Sequence, residues 1–180
     1  MLRVGTMPRM HRALAVAFTA LVGGAMAAGP AAAGSATSDF TVTASVSNNC
    51  TISTAAIAFG AYDPVVANLT APKDGTGSVT ITCTQGAVAT IGLSAGLNGA
   101  DAVGTTRAMK SGSDQLNYEI YQETGHSTVW GNSGAALLSP VAAPSTAPRT
   151  YTTFGRIPGA QVTVPAGATY TDTVTATVNF

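Results

Sequence analysis

From residue 170 to residue 180 the side chains alternate without a break. Tyr170, Asp172, Val174, Ala176, Val178 and Phe180 fall on one side; Thr171, Thr173, Thr175, Thr177 and Asn179 fall on the other. A period of two is that of a β-strand with one buried face. The same pattern occurs near the other end, where Phe40, Val42, Ala44 and Val46 oppose Thr41, Thr43, Ser45 and Ser47. Between these ends, Val79, Ile81 and Cys83 alternate with Thr80 and Thr82, Ala89 leads to Ile91 and Leu93, and Leu116, Tyr118 and Ile120 oppose Asn117, Glu119 and Tyr121. Residues 52–59 read as one strand or two short ones ending at Gly60, and 151–157 as a strand interrupted by Gly155. Residues 73–77, with Asp74, Gly75 and Gly77, and the Leu97-Asn98-Gly99 stretch read as turns. Pro140, Pro144 and Pro148 forbid a long helix across 134–148. With no sustained helical stripe, the expectation is one all-β domain, a sandwich of two antiparallel sheets. Apolar strands at both ends must pair with something, because an unpaired apolar edge invites association. Function is therefore expected in strand pairing and not in catalysis.

The first 33 residues are expected to lie outside the fold. Arg3, Arg9 and Arg12 make a basic start, an uncharged apolar run follows over 13–28, and small residues crowd 25–27 and 31–33. That is the layout of a secretory signal peptide with an A-x-A cleavage site. The expected organisation is a signal peptide at 1–33, an N-terminal strand segment at 34–48 and a sandwich domain at 49–180. About 145 residues then remain, enough for one domain with a real core.

Charge narrows the partners. Of eight basic residues, three belong to the leader, leaving five against eight acidic ones. A mildly acidic chain argues against nucleic acid as a partner. Cys50 and Cys83 are the two cysteines, and an even pair in an exported chain implies one disulfide. Catalytic material is thin. Past the leader His126 is the one histidine, expected to be a solvated loop side chain; both cysteines are committed, so no zinc site is expected. Ser133 in Gly131-Asn132-Ser133-Gly134 lacks the G-x-S-x-G pattern of a nucleophile elbow. Asn49-Cys50-Thr51 and Asn68-Leu69-Thr70 match the short glycosylation pattern. Trp130, Tyr118 and Tyr121 are expected to pack in the core or across strands. No enzyme activity and no cofactor is expected. Phe180 would offer a partner an apolar anchor beside a carboxylate.

Several stretches, taken in order, resemble the spore coat protein U domain family, which includes subunits of archaic chaperone–usher pili. They are the run 40–50 ending in Asn-Asn-Cys-Thr-Ile, Phe59-Gly60-Ala61-Tyr62, Val79-Thr80-Ile81-Thr82-Cys83-Thr84, Arg107-Ala108-Met109, residues 116–121, Trp130-Gly131, Phe154-Gly155-Arg156-Ile157-Pro158 and the closing residues 170–180. The resemblance implies an immunoglobulin-like sandwich that is incomplete and is completed by a donor strand. It implies as partners a periplasmic chaperone that first lends a strand, an outer-membrane usher, and neighbouring copies or related pilin subunits whose N-terminal segment replaces that strand. The donor would be Phe40, Val42, Ala44 and Val46; Val174, Ala176, Val178 and Phe180 would line the acceptor groove and meet the chaperone. Such a subunit would pass through the periplasm to a fimbrium or be secreted, supporting adhesion and biofilm formation. The alternative is a secreted spore-coat or matrix protein of the same fold that forms no chaperone–usher fibre.

Overall fold

A computed structural model describes residues 33–99, 101, 104, 106–166 and 169–180; residues 1–32 of the expected leader lie outside them. The chain divides into two units, Met1–Thr43 and Ala44–Phe180. In the first, residues 33–43 are exposed and carry no strand. Every described strand belongs to the second.

That unit contains β1 (Cys50–Ala55), β2 (Lys73–Cys83), β3 (Thr90–Leu93), β4 (Arg107–Ser111), β5 (Asp114–Tyr121), β6 (Arg149–Ile157) and β7 (Ala176–Asn179), with one turn of 3-10 helix at Gly134–Ala136. Two antiparallel sheets result: a five-stranded one in the order β1-β2-β6-β5-β4, and a two-stranded one pairing β3 with β7. The protein is an all-β, immunoglobulin-like sandwich. β4 turns into β5 through Gly112 and Ser113, with Ser111 opposite Asp114 and Gly112 at φ 58°, a backbone angle that suits glycine at a tight hairpin.

The alternating residues meet between the sheets. Val79, Ile81 and Cys83 of β2, Leu116, Tyr118 and Ile120 of β5, Ile157 of β6, and Ile91 and Leu93 of β3 form one buried cluster with Trp130. Each such aliphatic side chain stabilises the fold by about 1.5–3 kcal/mol before entropy is set against it. Cys50 and Cys83 stand opposite each other across β1 and β2 and are joined by a disulfide, their Cα atoms 4.1 Å apart. That bond ties the outermost strand of the larger sheet to its neighbour.

Four local expectations need correction. Residues 73–77 are not a turn but the first half of β2, and Gly155 does not interrupt β6. Gly75 sits opposite Gly155, and both are bare because the chain after β1 crosses over them. A Cβ on Gly75 would lie 2.9 Å from the Phe59 ring and one on Gly155 only 2.7 Å from it; one on Gly77 would lie 2.6 Å from the Ala55 carbonyl oxygen. Glycine inside these strands marks a close approach, not a break. Residues 170–180 are not one strand: Thr171 bridges to Lys110 of β4, and only Ala176–Asn179 pair with β3. The segment thus passes from the edge of one sheet to the other, as corners of sandwiches do. Finally, His126 is not solvated. Its side chain is 7% exposed, edge-on to the Tyr121 ring at 5.0 Å, with Nε2 3.8 Å from Asp74 Oδ1.

An unpaired groove between β1 and the terminal segment

Among the described residues one layer has five strands and the other two, so part of the five-stranded face lacks a covering strand there. The uncovered part is bounded by two backbone edges. β1 pairs on one side with β2, and among the described residues its other side has no ladder partner. The terminal segment likewise uses one side only. Thr171 exchanges hydrogen bonds with Lys110 (2.9 and 3.0 Å), Thr175 O accepts from Ser94 N (2.9 Å), and β7 continues along β3. Between these edges lies a cavity of about 500 Å³. One wall is made by Ala55, Ile57 and Phe59, the other by Tyr170, Asp172, Val174 and Ala176. Val79, Leu93, Met109, Tyr118, Ile120 and Thr153 lie beneath. A second cavity of about 520 Å³ shares Ile57, Phe59, Met109 and Tyr170 and extends toward Leu116, Ile157 and Val164. Ala55 is exposed and the other wall residues are half-buried, so the groove is not sealed.

Asp172 holds the terminal wall in place. Its carboxylate accepts from Tyr118 Oη (2.8 Å), Leu97 N (2.9 Å) and Asn98 Nδ2 (3.1 Å). Gly96, at φ 84°, leaves it room: a Cβ there would stand 1.9 Å from Asp172 Oδ2. Burial, and then the hydrogen bond to Asp172, push the Tyr118 phenol well above its ordinary range, so it remains a donor at any physiological pH.

Behind the groove is a second polar centre. Arg107 is buried on β4 and donates from Nε to Ser94 O (3.0 Å) and from Nη2 to Leu93 O (3.0 Å) and Trp130 O (2.7 Å); Nη1 pairs with Glu119. Burial raises the Glu119 carboxyl, and the Arg107 charge works against that rise. Trp130 Nε1 donates to Ile91 O (2.9 Å). Sequence reading took Arg107 only as part of a motif and missed both its burial and β4. One charged residue next to Ala108 and Met109 gives no alternating signal long enough to find them.

The expected site residues distribute as follows. Val174 and Ala176 line the first cavity. Val178 is half-buried against the core beyond it, while Phe180 is 53% exposed and lines neither cavity. Phe40, Val42 and Val46 are 86%, 80% and 85% exposed, Ala44 is exposed too, and residues 33–49 form no strand. Sequence reading missed the opposite wall, Ile57 and Phe59, and the floor. Among the described residues no three His, Cys, Asp or Glu side chains converge as metal ligands, and Ser133 is exposed ahead of the 3-10 turn. Asn68 is buried, accepting from Asp63 N and donating to Ala71 O, so its amide is not presented for glycosylation. No helix among the described residues is long and apolar enough to cross a membrane.

This chain is similar to known proteins in sequence and in fold. The model of the Spore Coat Protein U domain matches residues 36–177. Protein U of Myxococcus xanthus is 36% identical over 177 residues, covering 92% of this chain and 97% of its own length. A chain in the crystal structure of the CsuC–CsuE chaperone–tip adhesion subunit pre-assembly complex, from archaic chaperone–usher Csu pili of Acinetobacter baumannii, superposes with a TM-score of 0.51 at 29% identity. That match covers 75% of this chain but 40% of the other. A family model matching residues 36–177 and a relative 36% identical over nearly its whole length agree: the chain belongs to the Spore Coat Protein U domain family.

Proposed function

We propose that this protein is a structural subunit that polymerises by strand donation, the segment 34–48 of one copy completing the sandwich of the next. The observation that carries the reading is the groove between two unpaired strand edges above an apolar floor. A strand laid there would find backbone partners on one or both sides and seats for alternate side chains. Phe40, Val42, Ala44 and Val46 have the matching period, and the six residue steps from 40 to 46 equal those from Tyr170 to Ala176, about 20 Å in each case. Burying four such side chains would contribute roughly 5–8 kcal/mol before the cost of ordering the segment. Because donor and acceptor are different surfaces of one chain, the contact is head-to-tail and builds an open filament.

In the full scheme a periplasmic chaperone fills the groove first, and an outer-membrane usher exchanges its strand for the next subunit's. The fibre would then stand at the cell surface and serve adhesion and biofilm formation. The Csu complex, which pairs a chaperone with a pilus subunit, supports this version. The match to the Spore Coat Protein U domain model favours a second version in which the same fold serves a secreted coat or matrix. The test uses the full chain carrying Phe40→Asp and Val42→Asp, which disable its own donor, refolded with the disulfide intact. Adding a peptide of residues 38–48 should raise Tm by more than about 10 °C, whereas a peptide with the same two aspartates should not. No shift with either peptide would mean that the groove takes no strand from this segment.

A further inference from the structure

The floor of the groove contains one polar atom that the fold itself leaves unsatisfied. Thr153, on β6, is 4% exposed and lines the cavity, and its Oγ1 has no hydrogen-bond partner. Burying a hydroxyl without a partner is costly, and natural cores rarely leave one so. Its neighbours in the sheet are small, with Ile57 beside them: Gly77 stands opposite it in the ladder, where a Cβ would come within 2.9 Å of Oγ1 and of Ile57 Cγ1 alike, and Thr54, Ala55 and Ser78 line the same end of the cavity. At the other end the lining is bulky and apolar, with Leu93, Met109 and Tyr118.

The proposed donor has the same unevenness. Three of its inward residues are large (Phe40, Val42, Val46) and one, Ala44, is small. We propose that Thr153 is a specificity-determining residue of the groove, seating Ala44 of the incoming strand and favouring a hydroxyl-bearing side chain at that position. The inference rests on the strand-donation reading and adds register and selectivity to it. A serine in place of Ala44 adds one oxygen in the size class that the small end admits and gives Thr153 Oγ1 a partner. A valine there would press on the hydroxyl and leave it dry. Strands of related subunits with serine at this position would therefore be preferred over the protein's own.

The experiment measures binding of fluorescent peptides of residues 38–48 to the full chain carrying Phe40→Asp and Val42→Asp, and to the same chain with Thr153→Val. On the Thr153 chain, the Ala44→Ser peptide should bind about three- to tenfold tighter than the native peptide, and Ala44→Val more weakly. With Thr153→Val the serine advantage should vanish or reverse. Peptides of equal rank on both chains would overturn the role of Thr153 while leaving strand uptake intact. Absence of binding by every peptide would instead overturn the strand-donation reading, and this proposal with it. Circular dichroism of the Thr153→Val chain separates lost selectivity from lost fold: a folded chain that keeps the serine preference also contradicts the proposal.

Discussion

The two polar centres of this sandwich differ in what they leave undone. Around Trp130 and Arg107 the fold is finished: the indole and the guanidinium are fully enclosed, and their donors reach the carbonyls of Ile91, Leu93, Ser94 and Trp130 and the Glu119 carboxylate. Around the groove it is unfinished: among the described residues two strand edges lack partners, Ile57, Phe59, Met109 and Val174 remain half-buried, and Thr153 Oγ1 is orphaned. Both lie against the same five-stranded sheet. One end satisfies its polar atoms; the other keeps unpaired edges, an apolar floor and a buried hydroxyl without a partner, which is what the strand-donation reading requires. On the strand-donation reading, stability resides at the first end and assembly at the second.

The largest effect should come from breaking the finished end. Arg107→Ala would leave the Glu119 charge buried without its partner and three carbonyls unpaired, costing about 3–5 kcal/mol. Urea denaturation followed by tryptophan fluorescence should show the loss, since Trp130 is the one tryptophan.

A smaller effect should follow from Gly155→Val. The added side chain meets the Phe59 ring at 2.7 Å and must push residues 57–59 off the sheet, at about 1–3 kcal/mol. Because Ile57 and Phe59 form a groove wall, binding of the 38–48 peptide should suffer more than stability does.

The smallest concerns Tyr118, which belongs to both ends. Its folded pKa lies above the ordinary tyrosine value of about 10, so the folded state retains a proton that the unfolded state releases in alkali. Its contribution is fully present below about pH 10 and is lost as pH rises beyond that value. Tyr118→Phe should cost about 1 kcal/mol at pH 7, through the lost bond to Asp172, and should flatten the fall in stability above pH 10. Tm measured from pH 8 to 11 gives both numbers.

How much of this could be read from the chain depends on the range of the signal. Alternation named the inward residues of β2, β3 and β5 and the exposure pattern of 170–179, because a period of two is local and survives any tertiary arrangement. It misread Gly75, Gly77 and Gly155, since a glycine that makes room for the crossing residues 55–59 looks in sequence like one that ends a strand. It also described 170–180 as one strand because alternation says nothing about which neighbour is paired, and here the partner changes from β4 to β3. Residues 40–46 have a strand's pattern yet form no strand, because alternation fits a chain to a sheet without supplying the neighbour that a strand must bond. The terminal wall of the groove was legible through Val174 and Ala176. Its other wall and floor, set by the crossing of residues 57–59 and by Thr153, depend on contacts between residues nearly a hundred positions apart.

The central claim is that the segment around Val42 enters the groove of another copy with its apolar side inward. The most direct measurement mixes two full-length variants, one carrying Val42→Cys and the other Val174→Cys, with the Cys50–Cys83 disulfide left intact, and follows intermolecular disulfides by non-reducing electrophoresis and peptide mapping. The account predicts a 42–174 cross-link between chains, and little or none when Thr43→Cys, on the outward side, replaces Val42→Cys. Equal cross-linking from both positions, or none from either while the chains remain folded, would contradict it.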